Sequence, residues 1–259
     1  MTDRRFIATL ATMFLCVAAL LATSPGLSAQ GRGGRAGGAP QAPATARSAA
    51  PIDLAGYWVS VVTEDWRYRM VTPAKGDYQG VPLTPAARKI ADGWDLAKEE
   101  ASGDQCKSYG APAILRVPGR LHITWQDDQT LKMDADAGRQ TRIFHFGNWK
   151  APAGPHTIQG DSVAEWGGGG RGATDGFLTV TTTNLAAGFL RKNGVPYSEN
   201  ASLSEYYELV TQPDGTPLLV VTISTTDPEY LRVPFVISSQ FKKEAGATKW
   251  KPAPCSAKW

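Results

Sequence analysis

Three histidines, His122, His145 and His156, are the only side chains of this sequence that titrate unaided near neutral pH. His122 lies in Arg120–Gln126 (RLHITWQ) and His145 in Thr141–Phe146 (TRIFHF), segments whose alternation predicts the first and third strands of a meander. Facing the same way, the two rings would stand about two strand spacings, roughly 9.5 Å, apart. One ion cannot bridge that distance, and no His-x-His, Glu-x-x-His or paired-cysteine spacing accompanies them, so no metal site is expected. Acid–base work by His122, His145 and Glu165, with Glu205 or Asp128 as further carboxylates, is one open reading. An interior histidine satisfied by a polar neighbour is the other. No Gly-x-Ser-x-Gly elbow is present and no bound cofactor is expected.

Binding chemistry has a second set of candidates. Glu64-Asp65-Trp66-Arg67-Tyr68-Arg69 is the densest polar stretch within a strand-like region. Read as a strand, it puts Glu64, Trp66 and Tyr68 on one face and Asp65, Arg67 and Arg69 on the other. Two arginines on one face could clamp a carboxylate, or form a solvated face with Asp65. The eight tryptophans are more than such a chain needs, and rings with a polar handle line pockets as well as cores. Trp66, Tyr68, Trp125 and Tyr207 are the aromatic candidates for a pocket, with Arg67, Arg69 or Arg142 orienting the polar end of a ligand.

These residues sit on predicted strands. Leu54–Met70 opens the series. Arg120–Gln126, Thr130–Asp134 and Thr141–Phe146 make the meander, joined by Asp127-Asp128 and Ala137-Gly138 turns. Val163–Trp166, Phe177–Asn184, Leu203–Val210, Leu218–Thr226 and Phe235–Phe241 follow, with a turn at Pro213-Asp214-Gly215. Eight or nine strands predict an all-β fold, an antiparallel, lipocalin-like barrel, with a sandwich as the alternative. Residues 72–117 are a partly helical excursion. Thr84-Pro85 starts a helix through Ala91 that stops near Gly93, and Asp95 caps a second that ends at Gly103. The Gly167–Gly172 run lacks the Gly-Lys-Ser/Thr ending of a phosphate loop, so nucleotide binding there is rejected.

Gly56-Tyr57-Trp58 resembles the Gly-x-Trp mark that opens lipocalin barrels. The family's arginine near the last strand has no clear counterpart, Lys242 or Lys243 standing nearest. A broader resemblance covers residues 118–241. Ser162-Val163-Ala164-Glu165-Trp166, the strand Gly176–Leu185 and Asp227-Pro228 are similar to the pattern of a group of secreted bacterial β-proteins, and that likeness implies export and a β-fold but no activity.

Export is also read from the residues. Arg4-Arg5, the apolar run Phe6–Ala22 and Leu27-Ser28-Ala29 predict a signal peptide over 1–29, cleaved after Ala29 and leaving no stable membrane span. Residues 30–51, rich in Gly, Ala, Pro and Arg without an acid, predict a disordered tether, and 52–259 a single β-domain. A periplasmic or secreted location follows. In an oxidising compartment Cys106 and Cys255 are expected to pair, two free thiols being the alternative. The net charge of +3 sits in the N-terminal segments. Five of 27 basic residues (Arg4, Arg5, Arg32, Arg35 and Arg47) and one of 24 acids (Asp3) precede residue 52, leaving 22 against 23 in the domain. No nucleic-acid partner is expected. Oligomeric state leaves no mark in the sequence. The favoured expectation is an exported barrel that binds a small, partly apolar molecule in an aromatic-lined pocket. A cofactor-independent barrel enzyme and a structural or partner-binding envelope protein are the alternatives.

Overall fold

Alternating β-branched or aromatic and polar residues build a closed barrel. The computed structural model describes residues 44–168 and 176–259. The expected signal segment, the tether before residue 44 and residues 169–175 of the Gly-rich loop lie outside the described residues. The strands are β1 (Gly56–Val61), β2 (Arg120–Asp127), β3 (Thr130–Ala135), β4 (Gln140–Phe146), β5 (Asp161–Gly167) and β6 (Phe177–Thr183). A small hairpin follows, β7 (Gly188–Arg191) and β8 (Val195–Tyr197), and then β9 (Ser202–Thr211), β10 (Pro217–Thr226) and β11 (Phe235–Glu244). Nine of these close in the order β1-β11-β10-β9-β6-β5-β4-β3-β2, while β7–β8 form a separate two-stranded sheet.

The barrel is mixed, which corrects the all-antiparallel expectation. β4 and β5 run parallel, with Phe144 opposite Ser162 and Phe146 opposite Ala164. Residues 147–160 therefore carry the chain from one rim back to the other before β5 begins, as a parallel pair requires.

Alternation sends one face of each strand into a shared core. Trp58, Leu121, Ile123, Leu131, Met133, Phe144, Leu178, Val180, Leu203, Tyr207, Leu219, Val221, Ile223 and Phe241 pack in it. At these near-zero exposures each large side chain contributes roughly 1.5–3 kcal/mol of hydrophobic stabilisation.

One rim holds the first residues of β2, β4, β5, β9 and β11, and the helical excursion packs there. It begins directly after β1, at residue 62 and not 72 as expected, and its helices are α1 (Trp66–Arg69), α2 (Pro85–Asp92), α3 (Leu96–Ser102) and α4 (Ala111–Ile114). Two of them begin and end where the sequence signals placed them. Thr84 Oγ1 accepts from Ala87 N (3.2 Å) and Asp95 Oδ1 from Lys98 N (3.0 Å), while Gly103 takes φ 77° at the end of α3. The excursion is fastened to the barrel by Ser60 N to Gly119 O (2.9 Å), and to the β10–β11 connection by Arg232 N to Pro82 O (2.9 Å). After β11 the tail returns to the same rim, where Cys255 is disulfide-bonded to Cys106.

At the opposite rim, residues 44–51, the end of the expected tether, turn against the barrel. Arg47 N donates to Asp128 O (3.1 Å) and Trp166 Nε1 to Ala46 O (2.7 Å). No helix among the described residues is long and apolar enough to cross a membrane.

Candidate functional site

The expected strand through Glu64–Arg69 is interrupted, and that interruption creates the site. β1 ends at Val61, Asp65 adopts a left-handed φ of 49°, and Trp66–Arg69 form the single turn α1. Alternation no longer applies to these residues. Trp66 and Arg67 face solvent, and Arg67 pairs with Asp77. Tyr68 and Arg69 turn inward. Tyr68 Oη donates to Asp77 Oδ1 (3.1 Å) and Arg69 Nε to the carbonyl of Arg116 (2.9 Å).

Three more cations are buried beside them. Arg116 follows α4, Arg191 ends β7, and Lys192 begins the hairpin tip. Arg69, Arg116, Arg191 and Lys192 retain only 0%, 4%, 4% and 3% exposure, where basic side chains seldom go unpaired. The tip is buried because Trp94 lies on it. Gly194 has φ 74°, and a Cβ there would stand 2.3 Å from the Trp94 side chain, so only glycine fits. Asn193 Nδ2 donates to the carbonyls of Ala74 (3.1 Å) and Asp77 (3.0 Å) in place of water.

A narrow cleft opens between Tyr68, Ser108, Ala113, Arg116, Val117, Leu190, Arg191, Lys192 and Trp259. Its free space is about 10 Å³, room for a single water-sized sphere. The Arg191 guanidinium lies 3.9 Å from the Tyr68 ring centroid, and the Lys192 ammonium 4.1 Å from the Trp259 ring. Lys192 Nζ donates to Tyr109 Oη (2.7 Å) and Ser256 O (2.7 Å), tying the tail to the hairpin tip.

The balance of charge in this region is positive. Arg116 meets Asp65 (3.1 Å), whose side chain is 42% exposed. The buried acid, Glu99, is engaged by Trp94 Nε1 (2.5 Å), and burial raises its pKa. Burial, with Arg116 adjacent, lowers Arg69 and Arg191 to about 10. Burial lowers Lys192 to about 8, against a smaller opposing pull from Glu99. Several donors here have no hydrogen-bond partner among the described residues: Arg69 Nη1 and Nη2, Arg191 Nε, Ser108 Oγ and Trp259 Nε1. A buried donor left unpaired costs about 1–3 kcal/mol.

The other expected site residues are distributed elsewhere. Arg142 and Tyr207 point into the barrel. Arg142 forks onto Glu205 (2.6 Å to each oxygen) and reaches Thr182 Oγ1 (3.1 Å), while Tyr207 Oη donates to Glu205 (3.1 Å). Burial opposes the charge on Arg142, but Glu205 outweighs it and the pKa is raised; burial and then Glu205 push Tyr207 well up. Trp125 lies towards the opposite rim, its ring 5.6 Å from Phe146 and 6.4 Å from Trp166.

The acid–base candidates stand on the outer face of the barrel without joining one another. His122 stacks on Tyr57 (4.0 Å between centroids) and His145 on Trp149 (3.9 Å), while Glu165 is exposed on β5. His156 Nδ1 meets Leu185 O (3.1 Å). Among the described residues no group of three or more His, Cys, Asp or Glu side chains could hold a metal ion.

No family model, curated protein or solved structure matches this chain. The functional reading therefore rests on the cleft itself. Sequence reading singled out Tyr68 and Arg69 but missed Arg116, Ser108, Arg191, Lys192 and Trp259. The Leu190-Arg191-Lys192-Asn193-Gly194 run carried the one available signal, a basic pair directly after apolar residues, while its Asn-Gly pair reads simply as a tight turn.

Proposed function

We propose that this protein is an exported barrel that binds a small anionic molecule in the cleft at its covered rim. The observation that carries the reading is the convergence of buried Arg116, Arg191 and Lys192 with unpaired donors from three separate elements. Such a group keeps its charges at a cost that an incoming anion offsets, because a charge pair deep in the protein is stronger than one in water. Ala113, Val117, Leu190 and the Trp259 ring supply apolar walls, so a partly apolar body suits the ligand. The N-terminal signal pattern and the Cys106–Cys255 bridge support export. Acid–base catalysis finds less support, since His122, His145 and Glu165 share no cleft.

Titration calorimetry of the oxidised chain in low-chloride buffer, against inorganic phosphate, sulfate, acetate and benzoate, tests the reading. At least one of these anions is expected to bind, and Arg191→Gln to weaken that binding about tenfold or more. Heats indistinguishable from dilution across the whole panel would remove the proposal.

A further inference from the structure

The outer face of the barrel carries a second pocket, which shares no lining residue with the basic cleft. We infer that it binds a neutral carbohydrate, one pyranose ring resting beside Trp250 with its hydroxyls between Asp134 and Arg139.

Strand register builds the floor of this pocket. His122 on β2 stands opposite Asp134 on β3, and Asp134 opposite Thr141 on β4, so the three side chains form one row across the outer surface. Tyr57 of β1 extends the row and stacks on His122 (4.0 Å between centroids), covering one face of the imidazole. Trp250 meets both rings edge to face, with centroids 5.8 and 6.0 Å away. Trp250 and Pro252 bring the tail in as a wall, and Arg139 stands at the β3–β4 turn. That wall is fixed, because Ala253 N donates to Asp136 O (2.8 Å) and Cys255 is bonded to Cys106. The free space is about 310 Å³, at the small end of ligand pockets. Arg139, Thr141 and Pro252 are exposed around it, so entry needs no rearrangement.

The lining selects the ligand class. Asp134 accepts from Thr141 Oγ1 (2.7 Å) and pairs with Lys132 (2.8 Å), and a carboxylate keeps lone pairs for further donors. Arg139 supplies the donors. Its guanidinium is held by no hydrogen bond or ion pair among the described residues. Its backbone takes φ 52°, a conformation that glycine or asparagine adopts more readily than arginine. Strain of this kind, kept at an unpartnered side chain beside a pocket, is the mark of a functional position. A lone anion would leave Asp134 facing like charge, and an ammonium would leave Arg139 so. A hydroxyl gives and accepts at once, so a neutral polyol satisfies both. Trp250 and Pro252 add apolar surface on one side. A pyranose ring combines the two requirements, a C–H face and a girdle of hydroxyls.

The test follows the amide and indole NMR signals of the full oxidised chain during titration with the methyl glycosides of glucose, galactose and N-acetylglucosamine, with glycerol and benzoate as controls. At least one glycoside is expected to shift the Trp250 indole signal and the amides of residues 134–141 saturably, while neither control does so at matched concentration. Trp250→Ala removes the wall and is expected to weaken that binding by about tenfold or more. Arg139→Gly is expected to weaken it by about tenfold, as loss of hydrogen bonds from a charged group does. Glycine relieves the left-handed backbone, so Arg139→Gly is expected to melt no lower than wild type, which separates lost binding from lost stability. Absence of a saturable shift from every glycoside would overturn the inference. So would binding undiminished by either substitution, a benzoate response equal to that of the glycosides, or a lowered melting temperature for Arg139→Gly.

Discussion

Arg142 and Glu205 meet inside the barrel with side-chain exposures of 1% and 0%, and that isolation sets what their loss does. Breaking one member of such a pair leaves a charge without a partner and costs about 3–5 kcal/mol. Glu205→Gln is expected to lower unfolding free energy by that amount in urea titrations. The triple change Arg142→Leu, Glu205→Leu, Tyr207→Phe should recover most of it, since it removes the charges and the hydroxyl that depends on them. A triple variant weaker than Glu205→Gln would mean that the pair stabilises beyond its own desolvation. Lys192 makes the pH-dependent counterpart at the rim. Its folded pKa of about 8 lies below the 10.5 of a free lysine, so between these values the unfolded chain holds more of its proton. The burial penalty is complete below about pH 8 and is relieved as pH rises towards 10.5, by up to about 1.4 kcal/mol per pH unit. The stability of wild type minus that of Lys192→Met should accordingly increase from pH 7.5 to 9.5. Anion affinity should fall over the same interval as the lysine loses its charge. A stability difference flat in pH would show that the ammonium is not held down.

Among the elements, the tail depends most on a single bond. Cys106 and Cys255 are separated by 149 residues, and loop-closure entropy for so long a loop amounts to about 5 kcal/mol at most, with measured bridges nearer 2–4. Cys106→Ser with Cys255→Ser is expected to lose stability in that range in denaturant titrations. Stability unchanged by the double substitution would show that packing alone holds the tail. The elements differ in how much of them the sequence disclosed. The strands were legible because alternation is local, and α2 and α3 because Thr84-Pro85, Asp95 and Gly103 are local cap signals. The parallel β4–β5 step was not, since residues 147–160 carry no helical pattern, and their length alone marks a crossover. α1 was missed because Trp66–Arg69 have strand-like composition, and a left-handed Asp65 has no dependable signature in one sequence. Half of the candidate cleft was illegible for a further reason. Arg116, Arg191 and Lys192 are buried by Trp94, the α1 turn and a tail from distant parts of the chain.

At the scale of the whole molecule, the filled barrel and the basic cleft make opposite demands on a ligand. Trp58, Phe144, Tyr207 and Phe241 occupy the interior together with the aliphatic rows of β2, β3, β9 and β10, so a neutral apolar ligand would have to displace core packing. Opening space of that kind costs several kcal/mol, as large-to-small core substitutions do. An anion at the rim leaves those rows in place. Binding to the folded chain alone stabilises it by about 2.7 kcal/mol at a ligand concentration one hundred times the dissociation constant. For a domain of this size each kcal/mol raises the melting temperature by about 2–4 °C, so saturation with inorganic phosphate should raise it by about 5–10 °C. Arg191→Gln should lose most of that rise at the same phosphate concentration. A fatty alcohol or neutral terpenoid at its solubility limit should leave the melting temperature unmoved. The expected lumen ligand of a lipocalin-like barrel would give the reverse pattern, shifts with neutral apolar compounds and none with phosphate, and that result would return the binding site from the rim to the interior.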